Sequence, residues 1–365
     1  MITNLNQLAD TLQNARTPRD VFGDLPGVYG AQIAELARRH RKLLQLAHPD
    51  RNPADIKRAE QLFSDLQRWH AAADKQIRAG VYGKRAENPL FSLTLRTGRY
   101  DIFGPLVTTD CYAVYRCVPA NPAPAGTLRI KIIRDPQNND LARREADLLR
   151  PLADDARVRR YFPKLVEAFT LREAGAARQA LIIAVPADLI SLADLRRAFP
   201  AGLDPRDAAW IFNRILEALY YAHARGVIHA NINSQTLAVT LANHGLTVDE
   251  WPLAVPVDAP LIAVPPSYAG WYAEIPAHRA TPALDITLAL RTLVDLLGGN
   301  PLTAELPITI PAALKRFIEG ALLLPHAGRP NDAGALRHEF DELLQTLYGP
   351  RTFRALTIPT AQAKT

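Results

Sequence analysis

Residues 29–74 read YGAQIAELARRHRKLLQLAHPDRNPADIKRAEQLFSDLQRWHAAAD, and they decide how the N-terminal part folds. From Tyr29 to Ala47, Ile33, Leu36, His40, Leu43 and Ala47 recur at three- and four-residue spacing, which predicts an amphipathic helix. Arg38, Arg41 and Lys42 fall on the opposite face, with Arg39 at its edge. Pro49 stops this helix, because a proline drives the residue before it, here His48, away from helical geometry. The polar loop HPDRNPAD follows, and a second helix is predicted from about Ala54 to Asp74. Its apolar stripe is Ile56, Ala59, Leu62, Phe63, Leu66, Trp69 and Ala73. Two amphipathic helices joined by a short polar loop make an antiparallel hairpin. The stretch GVYGKRAENPLF mixes glycine, charge and proline, which predicts a linker over 80–92.

Charge is divided unevenly along the 365 residues. The whole chain carries +6, but residues 1–85 hold 14 Lys+Arg against 9 Asp+Glu, and the remaining residues hold 29 against 28. The basicity therefore belongs to the small N-terminal unit. With 48% hydrophobic and 22% charged residues, the chain is neither wholly disordered nor fibrous, and its length predicts two folded units. Cys111 and Cys117 are too few to frame a disulfide scaffold or fill a structural zinc site, and are expected to be packing residues. No signal peptide and no membrane-spanning stretch is read, so a cytoplasmic protein is expected.

From Leu93 the pattern changes to period-2 runs, CYAVYRCV and TLRIKIIRD, joined by PANPAPAG. A charged helix, LARREADLLRPLAD, and a further strand, ALIIAVP, come next. After about Ser191 the segments are mostly helical: DPRDAAWIFNRILEALYYAHARG, ALDITLALRTLVDLLGG, PAALKRFIEGALLL and DAGALRHEFDELLQTLYG. A strand-rich half followed by a helix-rich half predicts a bilobal α+β domain over 93–350. The tail, 351–365, is expected to be flexible.

HRKLLQLAHPDRNPADIKRAEQLFSDLQRWHAAAD resembles the J-domain of DnaJ-type co-chaperones, with a core at about 18–78 within a domain over 1–79. The resemblance implies a DnaK-type chaperone as partner. Its ATP hydrolysis would be triggered by His48, Pro49 and Asp50, while Arg38, Arg41 and Lys42 dock on an acidic surface. Pro49 stiffens the loop and so lowers the entropic cost of presenting His48 and Asp50. Leu46 and Ala47 stand where the family usually carries a basic residue and an aromatic. Without a closed ligand set, His48 is not read as a metal ligand.

The stretch 93–348 resembles the protein-kinase fold through an ordered series of segments: Lys131 in RIKII, Glu145 in RREADLL, then YAHARGVIHANINSQTLAV with His229, then HGLTVDEWPLA, SYAGWYAEI, ALDITLAL and AGRPNDAGAL. The fold class expected is thus α+β multidomain: a helical J-domain hairpin, then a kinase-like domain with a small β-rich lobe and a large helical lobe. Position by position, the reacting groups are replaced. Val107, Thr109 and Tyr112 stand where glycines would let backbone approach phosphates. Asn231 replaces the catalytic base, Asn233 the loop lysine and Thr236 the metal-binding asparagine; Glu250, or Asp249 one residue earlier, replaces the metal-binding aspartate. Lys131 and Glu145 remain as a candidate ion pair, Glu274 is expected to pair with Arg329, and Asp285 to hold the His229 loop. The expectation is a pseudokinase without cofactor that binds a protein client or assembly partner. The alternatives are a nucleotide-dependent transferase using Lys131, Glu145 and Glu250, and a nucleic-acid adaptor using the basic N-terminal part, the latter disfavoured because no further helix or arm would place it in a groove.

Overall fold

A computed structural model describes residues 2, 4–26, 29–53, 55–78, 80–83, 88–120, 127–152, 155, 157–173, 175–273, 279–325 and 328–358. They form two compact units, one of residues 1–104, 117–127 and 186–188, the other of 105–116, 128–185 and 189–365.

The first unit is built on helices α1 (Leu5–Asn14), α2 (Pro18–Phe22), α3 (Tyr29–Leu46) and α4 (Ile56–Arg78). The two short helices were not anticipated, because five or ten residues carry too little periodicity; their caps are nevertheless written in the sequence. Asn4 accepts from the Gln7 N–H at 2.9 Å, and Thr17 with Asp20 forms a capping box ahead of Pro18. Between α3 and α4 a 3-10 turn spans Pro49–Arg51, and the Asn52 amide donates to the Leu46 and His48 carbonyls, both at 2.9 Å. That satisfies carbonyls left open where the helix stops.

His40 stacks on His70 with ring centres 4.0 Å apart, and His48 meets Phe63 edge-on, so α3 and α4 run antiparallel. Leu8, Phe22, Leu36, Leu43, Ala47, Leu62, Leu66 and Ala73 close the core between the four helices. The start of the expected linker belongs with them: Tyr82 donates from its hydroxyl to the Gly23 carbonyl at 2.9 Å. Residues 84–87 of that linker lie outside the described residues. Strands β1 (Phe91–Leu95) and β2 (Gly98–Thr108) pair antiparallel beyond it, with Leu93 opposite Tyr100.

In the second unit the sheet order is β2, β3 (Tyr112–Pro119), β4 (Thr127–Ile133), β6 (Ala176–Val185), β5 (Lys164–Glu173), with α5 (Asn139–Leu152) inserted between β4 and β5. The chain then runs through β7 (Ile190–Ser191), α6 (Leu192–Ala198), α7 (Pro205–His223), β8 (Val227–Ile228), β9 (Leu237–Thr240), β10 (Gly245–Val248) and β11 (Val255–Pro256). It ends in α8 (Pro282–Leu296), α9 (Ala312–Leu322) and α10 (Ala333–Tyr348). Helix α8 is buried on all sides, 13 of its 15 residues being inaccessible, which fits a central core helix. Phe212 of α7 meets Phe340 of α10 edge-on at 5.0 Å, and Phe340 also meets Phe317 of α9. Gly202 and Gly298 both have positive φ, and a Cβ on either would lie 2.4 Å from a carbonyl oxygen of the other's loop.

The C-terminal segment is described as far as Ile358. Up to Ile358 it is anchored: Arg354 pairs with Asp204 at 2.8 Å and Asp207 at 3.4 Å, and Leu356 and Ile358 pack on the core. Its anchoring side chains lie about 150 residues away in sequence, so no local periodicity announces them. No described helix is long and apolar enough to cross a membrane.

Candidate functional site

Strand β4 places Lys131 in the interior of the second unit, fully buried. Its Nζ lies 2.7 Å from Glu145 Oε1 on α5, 2.8 Å from Asp249 Oδ1 and 3.1 Å from Glu250 Oε1, both just after β10. The Tyr112 ring covers the ammonium at 4.5 Å from its centroid. The turn between β2 and β3 closes over the same group, since Thr109 donates from its hydroxyl to Glu250 Oε2 at 3.0 Å and accepts the Tyr112 N–H at 3.0 Å. The expected trio Lys131, Glu145 and Glu250 is thus brought together, and Asp249 joins it rather than competing with Glu250 for one position.

One ammonium faces three carboxylates. Burial alone would lower the Lys131 pKa, but attraction to Asp249, Glu145 and Glu250 overrides it and raises it well above the ordinary value. Burial pushes the Glu145 carboxyl up against the pull of Lys131. Burial also raises Glu250, with Lys131 opposing and the Asp249 and Glu145 charges adding, to about 7. Asp249 resists burial through Lys131 and stays below its ordinary value, so it carries the most secure negative charge. Glu250 holds a left-handed backbone, φ 60°, a strained state for a non-glycine residue; its N–H donates to Asp249 Oδ1 at 2.7 Å. Arg129, two residues before Lys131 and on the same face of β4, was not singled out from sequence; burial lowers its pKa while Asp249 and Asp194 pull it back.

Asn231, Asn233 and Thr236 form a second network, joined to the Lys131 cluster where the Thr236 carbonyl accepts the Asp249 N–H at 2.8 Å. The Asn233 amide donates to Asn231 Oδ1 at 2.8 Å, the Thr236 hydroxyl donates to the Asn231 carbonyl at 2.7 Å, and Asn233 Oδ1 accepts the Gln235 N–H at 2.8 Å. Asp285 holds this loop as expected, accepting the His229 and Ala230 N–H groups at 2.8 Å each. The buried His229 ring donates from Nε2 to the Asp249 carbonyl at 2.9 Å and accepts the Asn231 N–H at Nδ1, which defines one neutral tautomer. Burial lowers its pKa. Glu274 lies outside the described residues, as does any pairing of it with Arg329. Among the described residues no three or more His, Cys, Asp or Glu are arranged to hold a metal ion. Cys111 and Cys117 are free thiols whose pKa burial pushes up to about 12, and both pack against apolar neighbours or lie buried.

In the first unit the turn after α3 exposes His48 and Asp50, with side chains 49% and 88% accessible. Pro49 opens the 3-10 turn, and the Asp50 N–H donates to His48 Nδ1 at 3.2 Å. The basic face is thinner than the sequence reading allowed. Glu35 accepts from Arg38 through two bonds of 2.7 Å and from Arg39 at 2.6 Å, and these two guanidiniums hold its carboxyl down at about 2. Glu35 stands three and four residues before its partners, a spacing that could have revealed the pairs. Arg41 and Lys42 remain exposed on that face.

No family model matches this sequence, and no curated protein matches it. Among solved structures, one described as "Crystal structure of BubR1 kinase domain" aligns with a TM-score of 0.54 at 14% identity, covering 71% of this chain and 84% of that one. At that identity the likeness concerns fold alone, and it shows that this chain contains a protein-kinase-like fold.

Proposed function

We propose that the chain is a co-chaperone of the J-domain type, in which residues 1–79 recruit and stimulate a DnaK-type chaperone and the kinase-like part serves as a binding scaffold for a client or assembly partner. The observation that carries this reading is the exposed His48–Pro49–Asp50 turn, held between two antiparallel helices beside Arg41 and Lys42. The turn is stiffened by Pro49 and by the Asn52 side chain, so its two polar groups are presented at low entropic cost. With Arg38 engaged by Glu35, exposed Arg41 on the same face carries steering charge.

The scaffold half of the proposal rests on the Lys131 cluster. Three features support a scaffold over an Mg–ATP site: the lysine is already shared by three carboxylates, Tyr112 and Thr109 lie over it, and Asn231 and Thr236 are spent on each other's loop. This first reading therefore assigns ATP hydrolysis to the DnaK-type partner. The test is single-turnover ATP hydrolysis by a DnaK-type chaperone with wild type and with His48→Gln. Stimulation by wild type alone supports the reading, and equal rates with both proteins would sink it.

A second reading, a nucleotide-dependent transferase, rests on the close Lys131–Glu145 pair with Glu250 beside it. Transfer of the terminal phosphate of labelled ATP, abolished by Glu250→Ala, would favour it.

A further inference from the structure

We propose that the cavity between α7, α10 and the C-terminal segment binds a phosphate-bearing ligand with a flat ring, of nucleotide class, at a place separate from the Lys131 cluster. The cavity measures about 710 Å³, a size that ordinarily holds a small molecule, and none of its lining residues belongs to that cluster.

Two kinds of group meet in it. The first is aromatic. Trp210 of α7 and His244, ahead of β10, stack at 4.1 Å with an interplanar angle of 1°, and Phe353 of the C-terminal segment stacks on His244 at 4.5 Å. Phe353 is 64% exposed, so the end of the column stays open to another flat ring. The second is cationic. Arg206 lies one helical turn before Trp210, over the Tyr348 ring at 5.1 Å, and is exposed. Among the described residues it pairs with no carboxylate.

The other cations around the cavity are engaged. Arg354 is taken by Asp204 and Asp207, Arg351 by Asp341, Arg214 by Glu217, and Arg337 stands 3.9 Å from Asp341. Glu217 is the lone carboxylate in the lining, against Arg206, Arg214, Arg337, Arg351 and Arg354, and it also binds Arg160 at 3.0 Å. With Asp204, Asp207 and Asp341 counted beside Glu217, the five guanidiniums keep a positive excess, and Arg206, held by the Tyr348 ring and by no carboxylate, lies about 6 Å along the helix from the stacking column. A guanidinium meets a phosphate through parallel N–H donors, and an aromatic face accepts any base. A ligand with only a ring or only an anion would satisfy half of this arrangement.

Titration calorimetry on the full chain with adenosine 5′-monophosphate, adenosine and inorganic phosphate as separate probes tests the proposal. The monophosphate is expected to bind about tenfold or more tightly than either part alone, and Arg206→Ala or Phe353→Ala is expected to weaken it about tenfold, as loss of one charged contact or one stacking face would. Both side chains are exposed, so the variants keep the wild-type melting temperature. Arg206→Lys is expected to retain part of the affinity. No binding of the monophosphate in the millimolar range, equal binding of phosphate alone, or binding indifferent to both variants overturns it.

Discussion

Replacing Lys131 by Met removes the cation that Glu145, Asp249 and Glu250 share at 2.7, 2.8 and 3.1 Å. Lys131 and Glu145 are wholly buried, and of the carboxylates left behind Asp249 alone keeps appreciable contact with water, 19% of its side chain being accessible. Breaking a buried pair from one side costs about 3–5 kcal/mol, because the remaining charge is uncompensated. For a domain of this size that lowers the melting temperature by roughly 6–15 °C. Protons relieve the crowding. Burial already raises Glu145 and holds Glu250 at about 7, and losing Lys131 pushes both upward.

A carboxylate raised on folding favours the folded state at low pH and loses that contribution as pH rises through its folded value. The deficit of Lys131→Met is therefore larger at about pH 8, above the wild-type value of Glu250, and shrinks toward about pH 5. Differential scanning calorimetry of the full chain at those two conditions measures it, following the transition of the larger unit. A deficit below half its alkaline value at the acidic condition is expected. An unchanged melting temperature at about pH 8, or a deficit equal at both conditions, refutes the reasoning that Lys131 acts as a buried strut.

Acid acts on the first unit in the opposite sense. Burial, and then the neighbouring His70, push the His40 pKa down to about 4, so its contribution is present above the unfolded value of about 6.5 and is lost as pH falls through 4. Allowing for solvent screening, the loss is about 1–2 kcal/mol near pH 5, read as weaker hydrogen-exchange protection in α3 and α4, and His40→Leu flattens it. Protection that is flat between about pH 7 and 5 in wild type contradicts this. Gly202→Ala places a Cβ 2.4 Å from the Leu297 carbonyl oxygen at a φ of +100° and is expected to cost about 2–4 kcal/mol in a urea titration; a neutral result would show that the two loops can part.

The helices α3 and α4 were legible because their apolar residues repeat at helical spacing, and the observed bounds fall within a few residues of those expected. The kinase-like fold was legible from the order and spacing of several segments, none strong alone. The placement of Asp285 under the His229 loop followed from the same order. Less visible were α1, α2 and the docked tail, whose partners are capping side chains or distant carboxylates rather than a periodic stripe.

Local periodicity and chain order thus determined which segments are helices and strands and where the basic charge lies. Those properties depend on neighbours within a few residues, or on residue identity alone. Tertiary structure alone decided that Lys131 is shared among three carboxylates, that Thr109 reaches across 141 positions to Glu250, and that Arg206 lies over the Tyr348 ring beside an aromatic column. Each of these depends on the angles and depths at which separate elements pack, and burial then converts ordinary charges into groups that must share one cation.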